Sequence, residues 1–317
     1  MSRSRSHTSN IVKLYKHLEK LQLLQDGVVS PIMVHMMPTH KCQMHCSYCC
    51  FKNRKDKVLE MPFDVLKEGI FQFYSLGVRA VEITGGGEPT LYPYINQALR
   101  LLDELGIYIG MNTNAVDSQF VRCWDLCEWV RVSLNTLDYY DSINTSPILD
   151  SGAYISGCYI WNDKSTEAIL DKVIRFADDN QVVCRIAPDC IKPLVEIDRS
   201  VDQLRDLLLK CDSEYVFLSD FNIDTTRHNH KCYIHMIKPC FYTDGYIYPC
   251  PSMELAHEHD HRMNERYRVC RYNEVVDFYQ SEKPYEIKEL TCSYCKYAKQ
   301  QIVLEDVLTK TIFNEFA

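Results

Sequence analysis

The sequence predicts an α/β fold: a mostly parallel sheet curved into a partial (β/α)6, TIM-like barrel, with a small β-hairpin and helix extension at its C-terminal end. Three observations predict it. Strand-like and helix-like segments alternate from residue 31 to residue 220, the pattern of right-handed βαβ units. Six strands precede residue 221, too few for a closed eight-stranded barrel. From about 222–230 onward the pattern changes to short helices, dense cysteines and a hairpin signal. The expected organisation is an N-terminal helical segment (1–30), the barrel (31–225) and a C-terminal unit (226–317).

The elements follow in order. Residues 10–26 carry apolar residues at helical spacing, with Asn10 as a plausible cap. "PIMVHMM" (31–37) reads as a buried strand, and a cysteine-rich loop follows it. "PFDVLKEGIFQFYSLG" (62–77) is helical and ends on Gly77. "AVEITGG" (80–86) is a strand running into glycines. A helix over 94–106 leads to a strand over 107–115, and "WVRVSLNT" (129–136) is the next strand. Helix 165–180, strand 182–188, helix 201–212 and strand 215–220 complete the alternation. Beyond it, "IHMIKPCFYTDGYIYPCPS" forms a hairpin turned at Asp244-Gly245.

Ligands of parallel α/β sheets bind at the carboxyl ends of the strands. The first cysteine loop, the glycine run, "TNA" and "SLNT" all fall there, which predicts one shared site. Composition narrows the rest. The net charge of −8 supplies no general field for nucleic acid or an anionic membrane. No apolar run approaches the ~20 residues of a membrane span, and the basic start "MSRSRSHTSN" leads into a helix rather than a signal peptide. A cytoplasmic location is expected. Sixteen cysteines in a chain able to build its own core argue for reduced thiols, the clustered ones as metal ligands. The scattered ones, Cys123, Cys127, Cys158, Cys184, Cys190 and Cys211, read mainly as small buried hydrophobes.

"KCQMHCSYCC" (41–50) places Cys42, Cys46 and Cys49 at C-x3-C-x2-C. Three thiolates can hold three irons of a cubane and leave the fourth open. Neither the four-cysteine run of bacterial ferredoxins nor the paired C-x2-C of zinc ribbons is present. At these residues the chain resembles the radical S-adenosylmethionine (radical SAM) superfamily, whose hallmark is C-x3-C-x-aromatic-C after the first strand, with Tyr48 here as the aromatic. The resemblance implies a [4Fe–4S] cluster on Cys42, Cys46 and Cys49, with Cys50 a bystander packed on the sheet. S-adenosylmethionine would chelate the open iron, and its reductive cleavage would yield a 5′-deoxyadenosyl radical. "TGGGEPT" (84–90) resembles the family's glycine–glutamate–proline motif, which makes Gly85, Gly86, Gly87 and Glu88 cofactor-binding candidates, Glu88 either as partner of the SAM ammonium or as a brace for the loop. Asn114 matches the third-strand position. Ser133 and Asn135 match the fourth-strand ribose motif, although Asn135 stands where the family has a carboxylate. Arg185, inside an apolar strand, is a candidate partner for the SAM carboxylate.

Cys232, Gly245, Cys250 and then Cys292-x2-Cys295 resemble the twitch/SPASM extension of a subset of these enzymes. The resemblance implies a second, auxiliary [4Fe–4S] cluster on Cys232, Cys250, Cys292 and Cys295, with Cys240 as an alternative to Cys232. A structural zinc site on the same thiolates is the competing reading. "HEHDH" (257–261) reads as a solvated loop or a metal-binding tract.

The expected function is therefore radical SAM chemistry: hydrogen abstraction from an unactivated carbon, ending in oxidation, rearrangement or crosslinking. An electron donor such as flavodoxin or ferredoxin is the implied partner. The substrate is a small molecule, a nucleoside or a peptide. Only about 30 residues precede the first strand, which leaves no N-terminal peptide-binding domain and weakens the peptide reading. Modification of a DNA base is an alternative, with "FKNRKDK" (51–57) as possible local positive charge. A non-catalytic iron–sulfur carrier and a zinc-binding structural protein are the remaining alternatives.

Overall fold

The computed structural model describes residues 11–52, 54, 56–219, 231–251, 267–281 and 295–309. A 3₁₀ helix, Ile11–His17, leads into α1 (Leu18–Gln25), and β1 follows at Val34–Met36. Then come α2 (Phe63–Ser75), β2 (Ala80–Ile83), α3 (Ile95–Glu104), β3 (Tyr108–Thr113) and β4 (Trp129–Ser133). The short α4 (Ser146–Leu149) precedes β5 (Tyr154–Trp161), and α5 (Glu167–Asp179), β6 (Val183–Pro188), α6 (Leu194–Leu209) and β7 (Val216–Leu218) follow. The C-terminal part holds β8 (Cys240–Phe241), β9 (Tyr246–Tyr248), β10 (Cys270–Arg271), α7 (Val275–Tyr279) and α8 (Ala298–Leu308).

Among the described residues, ten strands form one sheet, in the order β10-β9-β8-β1-β2-β3-β4-β5-β6-β7. Strands β1 to β7 are parallel in chain order, and β8 joins the other side of β1, also parallel. The α/β partial barrel is as expected, but the six strands counted from sequence omit β5. Its centre, Ser156-Gly157-Cys158, breaks any apolar run and hides the period. A Cβ on Gly157 would stand 3.0 Å from both Cys184 Sγ and Leu134 Cδ1, so this strand is pressed close to its neighbours there.

Burial alternates along the central strands. Val81, Ile83, Ile109, Met111, Val130, Val132, Cys184 and Ile186 are buried among Leu66, Ile70, Phe73, Leu102, Leu170, Val173 and Leu204 of the covering helices. Residues of the opposite face, Glu82, Asn112, Arg131, Ser133 and Arg185, are only half-buried. That second face is the concave interior of the barrel.

The hairpin turns at Asp244-Gly245 as expected, with Gly245 at φ 80° and its N–H bonded to Tyr242 O at 2.9 Å. It docks on the barrel through Phe241, whose ring lies so close to Gly69 of α2 that a Cβ there would come within 2.4 Å of it. The boundary expected at 225/226 and the segment 257–261 lie outside the described residues. Among the described residues no helix is long and apolar enough to cross a membrane.

Candidate active site

The cysteine loop leaves β1 at the carboxyl end of the sheet. Local bonds shape it. The Met44 N–H donates to Cys42 Sγ and the Phe51 N–H to Cys49 Sγ, while the Tyr48 and Tyr139 hydroxyls bond the Cys46 thiol. Burial raises all three thiol pKa values, that of Cys42 to about 11. They are thiols as they stand, and binding of a metal would displace their protons. Cys50, like Cys49, packs partly buried against the core.

Two clamps hold the loop's ends. Arg54 donates from Nε and Nη2 to His40 O (3.0 and 2.7 Å) and from Nη1 to Phe51 O (2.8 Å). Lys52 Nζ bonds Ser47 O at 3.0 Å. The basic stretch 51–57 thus spends Lys52 and Arg54 on the loop's own carbonyls.

The glycine run lies directly under this loop. A Cβ on Gly87 would sit 2.2 Å from Lys41 O, and one on Gly86 would sit 2.7 Å from the His40 ring. Glu88 N–H donates to Lys41 O at 2.7 Å. Only glycine permits so close a backbone approach. Glu88 itself is buried, and its carboxylate accepts from Thr90 N (3.1 Å), Thr113 Oγ1 (2.6 Å) and Asn114 N (2.7 Å). Desolvation outweighs these bonds and raises its pKa. In this arrangement Glu88 braces three strand ends against one another.

Asn114 sits above it. Its Nδ2 lies 3.9 Å from Cys42 Sγ and 3.3 Å from Gln43 Oε1. Ala115, next along, is left-handed at φ 57°, which turns the chain sharply beside the cysteine loop. Thr136 Oγ1 ties Asn114 O (2.7 Å) to Ser133 O (3.2 Å) and lies 3.6 Å from Met44 Sδ. Ser133 is half-buried on the concave face. Asn135 is fully buried: its Oδ1 accepts from Ile160 N, and its Nδ2 donates to Ile160 O and Asp138 Oδ2, all within 2.9 Å. Its amide is committed to holding β5. Arg185 faces the barrel interior with Nε 3.2 Å from Cys158 Sγ.

The structure thus brings Cys42, Cys46, Tyr48, Cys49, the glycine run, Glu88 and Asn114 to one end of the sheet. Thr113, Thr136, Tyr139, Gln43 and Arg54 complete that frame and are missed by motif reading. Their bonds join segments distant in sequence, so no local pattern marks them.

Residues 36–148 match the Radical SAM superfamily. Over that segment the chain carries a radical SAM domain. It is 27% identical over 106 residues to an S-adenosylmethionine-dependent nucleotide dehydratase of a Thermoplasmatales archaeon, covering 32% of this chain and 37% of that protein. It is 28% identical over 100 residues to the PqqA peptide cyclase of Bradyrhizobium diazoefficiens, covering 31% of this chain and 26% of that one. The chain therefore spans well under half the length of the curated relatives it matches. In fold it resembles Streptococcus suis SuiB bound to its precursor peptide, with TM-score 0.57, 16% identity, and coverage of 87% of this chain and 71% of the other. The structure of native anSMEcpe with bound AdoMet and Cp18Cys peptide is similar at TM-score 0.54 and 13% identity, over 81% of this chain and 82% of that one. The superfamily works with a [4Fe–4S] cluster and SAM. The three thiols of the loop are the donor chemistry that such a cluster takes, with a glycine cradle beside them; among the described residues they do not stand together as a metal-holding group.

At the far end of the barrel, Lys238 is buried over the Tyr297 ring, 3.7 Å from its centroid, and feels both Cys250 and Cys295. Both cysteines thus lie within electrostatic reach of Lys238. Cys232 is buried nearby in sequence to Tyr233, whose N–H bonds Gln301 Oε1 of α8 at 2.9 Å. Cys240 is fully buried within β8, paired with His35 and Tyr248, and feels Cys250. Cys292 lies outside the described residues. Of the scattered cysteines, Cys123, Cys127, Cys158 and Cys184 are buried, and Cys190 and Cys211 partly so.

Proposed function

We propose that this chain is a radical SAM enzyme that takes a hydrogen atom from an unactivated carbon of its substrate. The observation that carries the proposal is the three-cysteine loop seated on the Gly85–Gly87 run, with Asn114 at the Cys42 sulfur. Cys42, Cys46 and Cys49 would hold a [4Fe–4S] cluster, which supplies one-electron cleavage of bound SAM. Gly85, Gly86, Gly87, Asn114, Ser133 and Arg185 would line the SAM site, with Tyr48 at its edge. Glu88 positions the loop from below, and Asn135 positions β5 beside Ser133. A single-electron donor of the flavodoxin or ferredoxin kind would feed the cluster, in a cytoplasm that keeps thiols reduced.

We assign residues 226–317 to an auxiliary-cluster extension of the 31–225 barrel. Cys232, Cys250, Cys292 and Cys295 are its proposed ligands, with Cys240 as the alternative to Cys232. The influence of both Cys250 and Cys295 on the buried Lys238 supports this set. The test is anaerobic reconstitution followed by reduction with SAM present. Roughly eight irons per chain, two cubanes' worth, and release of 5′-deoxyadenosine support the proposal. Zinc without iron, or no SAM cleavage by reduced protein, overturns it.

A further inference from the structure

The outer rim of the barrel carries a basic cleft beside the cysteine loop, and the SAM chemistry makes no use of it. The connection starts at the loop. Gln43, next to Cys42, donates from Nε2 to Asp117 Oδ2 at 2.9 Å, and Asp117 Oδ1 accepts a second amide from Gln119 Nε2 at 3.3 Å. Asp117 opens the 3₁₀ turn Ser118–Phe120 that follows β3. One side chain staples this turn to the start of α3: Asn96 Nδ2 donates to Phe120 O at 2.9 Å, and Asn96 Oδ1 accepts from Arg122 N at 2.7 Å. The buried Trp124 holds the turn from the core side, its Nε1 bonded to Ser118 O at 3.0 Å.

Between the turn and α3 lies a cleft of about 360 Å³, lined by Asn96, Gln97, Arg100, Gln119, Phe120 and Arg122. Arg100 and Arg122 are both exposed. Among the described residues neither guanidinium makes an ion pair or a hydrogen bond, not even Arg100 with Asp103 or Glu104 on the next turn of α3. The Phe120 side chain is 52% exposed in the same cleft. Arginine and bare aromatic rings on a fixed backbone are the residue types that anchor protein interfaces. The chain as a whole carries a net charge of −8, so its general field repels an acidic protein. Such a partner is steered only to a local basic face. Position narrows the partner further. Electron tunnelling falls steeply with distance, so a carrier must dock close to the centre it reduces. Phe120 stands three residues from Asp117, which touches the neighbour of Cys42.

We infer that the cleft at Arg100, Phe120 and Arg122 is the docking face for an acidic flavodoxin that delivers electrons to the cysteine loop. The carrier's surface carboxylates meet the two guanidiniums, and the planar edge of its flavin meets the Phe120 ring, which is what favours a flavin carrier over a ferredoxin. The inference rests on the proposed function for the cluster that accepts the electron. One electron passes from the reduced flavin to that cluster, and no atom is transferred. The contact is small and transient, as redox encounters are.

The test titrates the reconstituted protein with oxidised flavodoxin by calorimetry at low and at high ionic strength. Bleaching of the cluster absorbance then gives the rate of reduction by reduced flavodoxin and by photoreduced deazariboflavin, a small neutral donor that needs no docking face. One flavodoxin should bind per chain, more weakly at high salt. Arg100→Glu/Arg122→Glu should weaken binding at low salt and slow reduction by flavodoxin, each at least about tenfold, with the deazariboflavin rate unchanged. Phe120→Ala should weaken binding about threefold. Arg199→Glu/Lys210→Glu, the same charge change at exposed positions on and beside α6, is the control and should bind as the parent does. If the charge reversal does not fold, Arg100→Gln/Arg122→Gln carries the test, with weakening of about threefold or more. Absence of flavodoxin binding, equal weakening by the α6 control, or binding of ferredoxin in place of flavodoxin overturns the inference. So does pyrophosphate filling the cleft while flavodoxin binding ignores the arginine variants, which would make it a small-anion site. A deazariboflavin rate that falls with the flavodoxin rate overturns it too, since the arginines would then support the loop rather than dock a carrier. Each of these can occur while chemically reduced protein still forms 5′-deoxyadenosine, which leaves the proposed function standing. Failure of chemically reduced protein to cleave SAM refutes the proposed function instead, even where flavodoxin binds.

Discussion

Among the four cysteines between Lys41 and Cys50, spacing separates three from one, and the structure adds what surrounds each. Cys42, Cys46 and Cys49 each receive a hydrogen bond at sulfur from the loop or its neighbours. Replacing any of the three with Ala should abolish the SAM-binding cluster and 5′-deoxyadenosine formation, whereas Cys50→Ala should keep both. Iron content and product chromatography measure the difference, and a Cys50 variant without its cluster would sink the assignment. Glu88 makes a separate case. The motif suggested either a ligand contact or a brace, and three bonds to Thr90, Thr113 and Asn114 favour the brace. Glu88→Gln places an amide N–H against donors it cannot accept from. A stability loss of about 1–3 kcal/mol is expected in denaturant unfolding, together with weaker cluster retention. Unchanged stability would mean that the carboxylate is not the brace. Arg54 shows what motif reading cannot reach: its clamp on His40 O and Phe51 O spans both ends of the loop, and nothing in "NRK" marks it among neighbouring cations.

At the scale of elements, the parallel strands were legible wherever β-branched runs were bounded by glycine or turn residues, as in "AVEITGG" and "WVRVSLNT". Strand β5 was not, because close packing against β4 and β6 required Gly157 and small neighbours at the point where an apolar signal would show. The same requirement of space gives a contrast between glycines. Gly87→Ala would drive a Cβ into Lys41 O, a backbone atom that cannot step aside. Overpacking of this kind costs typically 1–3 kcal/mol, and here it also lifts the cysteine loop, so iron loading should fall with the melting temperature. Gly152→Ala, at φ 83° but facing open space, should cost only about 1 kcal/mol and leave iron loading intact. Equal iron loss in both would refute the cradle. The 3₁₀ turn Ile234–Met236 makes a pH prediction. His235 is fully buried, and desolvation depresses its pKa from 6.5 to about 3. Between those values the unfolded chain binds a proton that the folded chain refuses, so stability falls as pH drops through this window. From pH 7 to pH 5 this group should cost about 2 kcal/mol. His235→Phe should flatten that part of the stability profile in urea unfolding, and an unaltered profile would show that the turn opens to water.

Across the whole molecule, one sheet separates the first cysteine loop from Cys250 at its opposite end. The loop after β1 opens at the carboxyl end. Strand β9 runs back against β8, so Cys250 emerges at the other end, beside Lys238, which immediately precedes Pro239 and β8. Pairing of β8 with β1 ties the hairpin to the strand that delivers Cys42, although more than 200 residues separate them in the chain. Sequence spacing suggested the two sets, but it gave no hint that they share a sheet or that a charged interior lies between them; that depends on register across β1 to β6. The arrangement makes the two centres separable. Cys250→Ala and Cys295→Ala should lose about four of the roughly eight irons and keep the remaining cluster, since the Arg54 and Lys52 clamps hold the loop on its own carbonyls. The reduced variants should still cleave SAM while substrate turnover falls, read as 5′-deoxyadenosine formed per product released. Loss of all iron in either variant would mean that the two cysteine sets fold as one unit. Full retention of iron would remove Cys250 and Cys295 from the ligand set and turn attention to Cys240, the buried thiol that already faces Cys250.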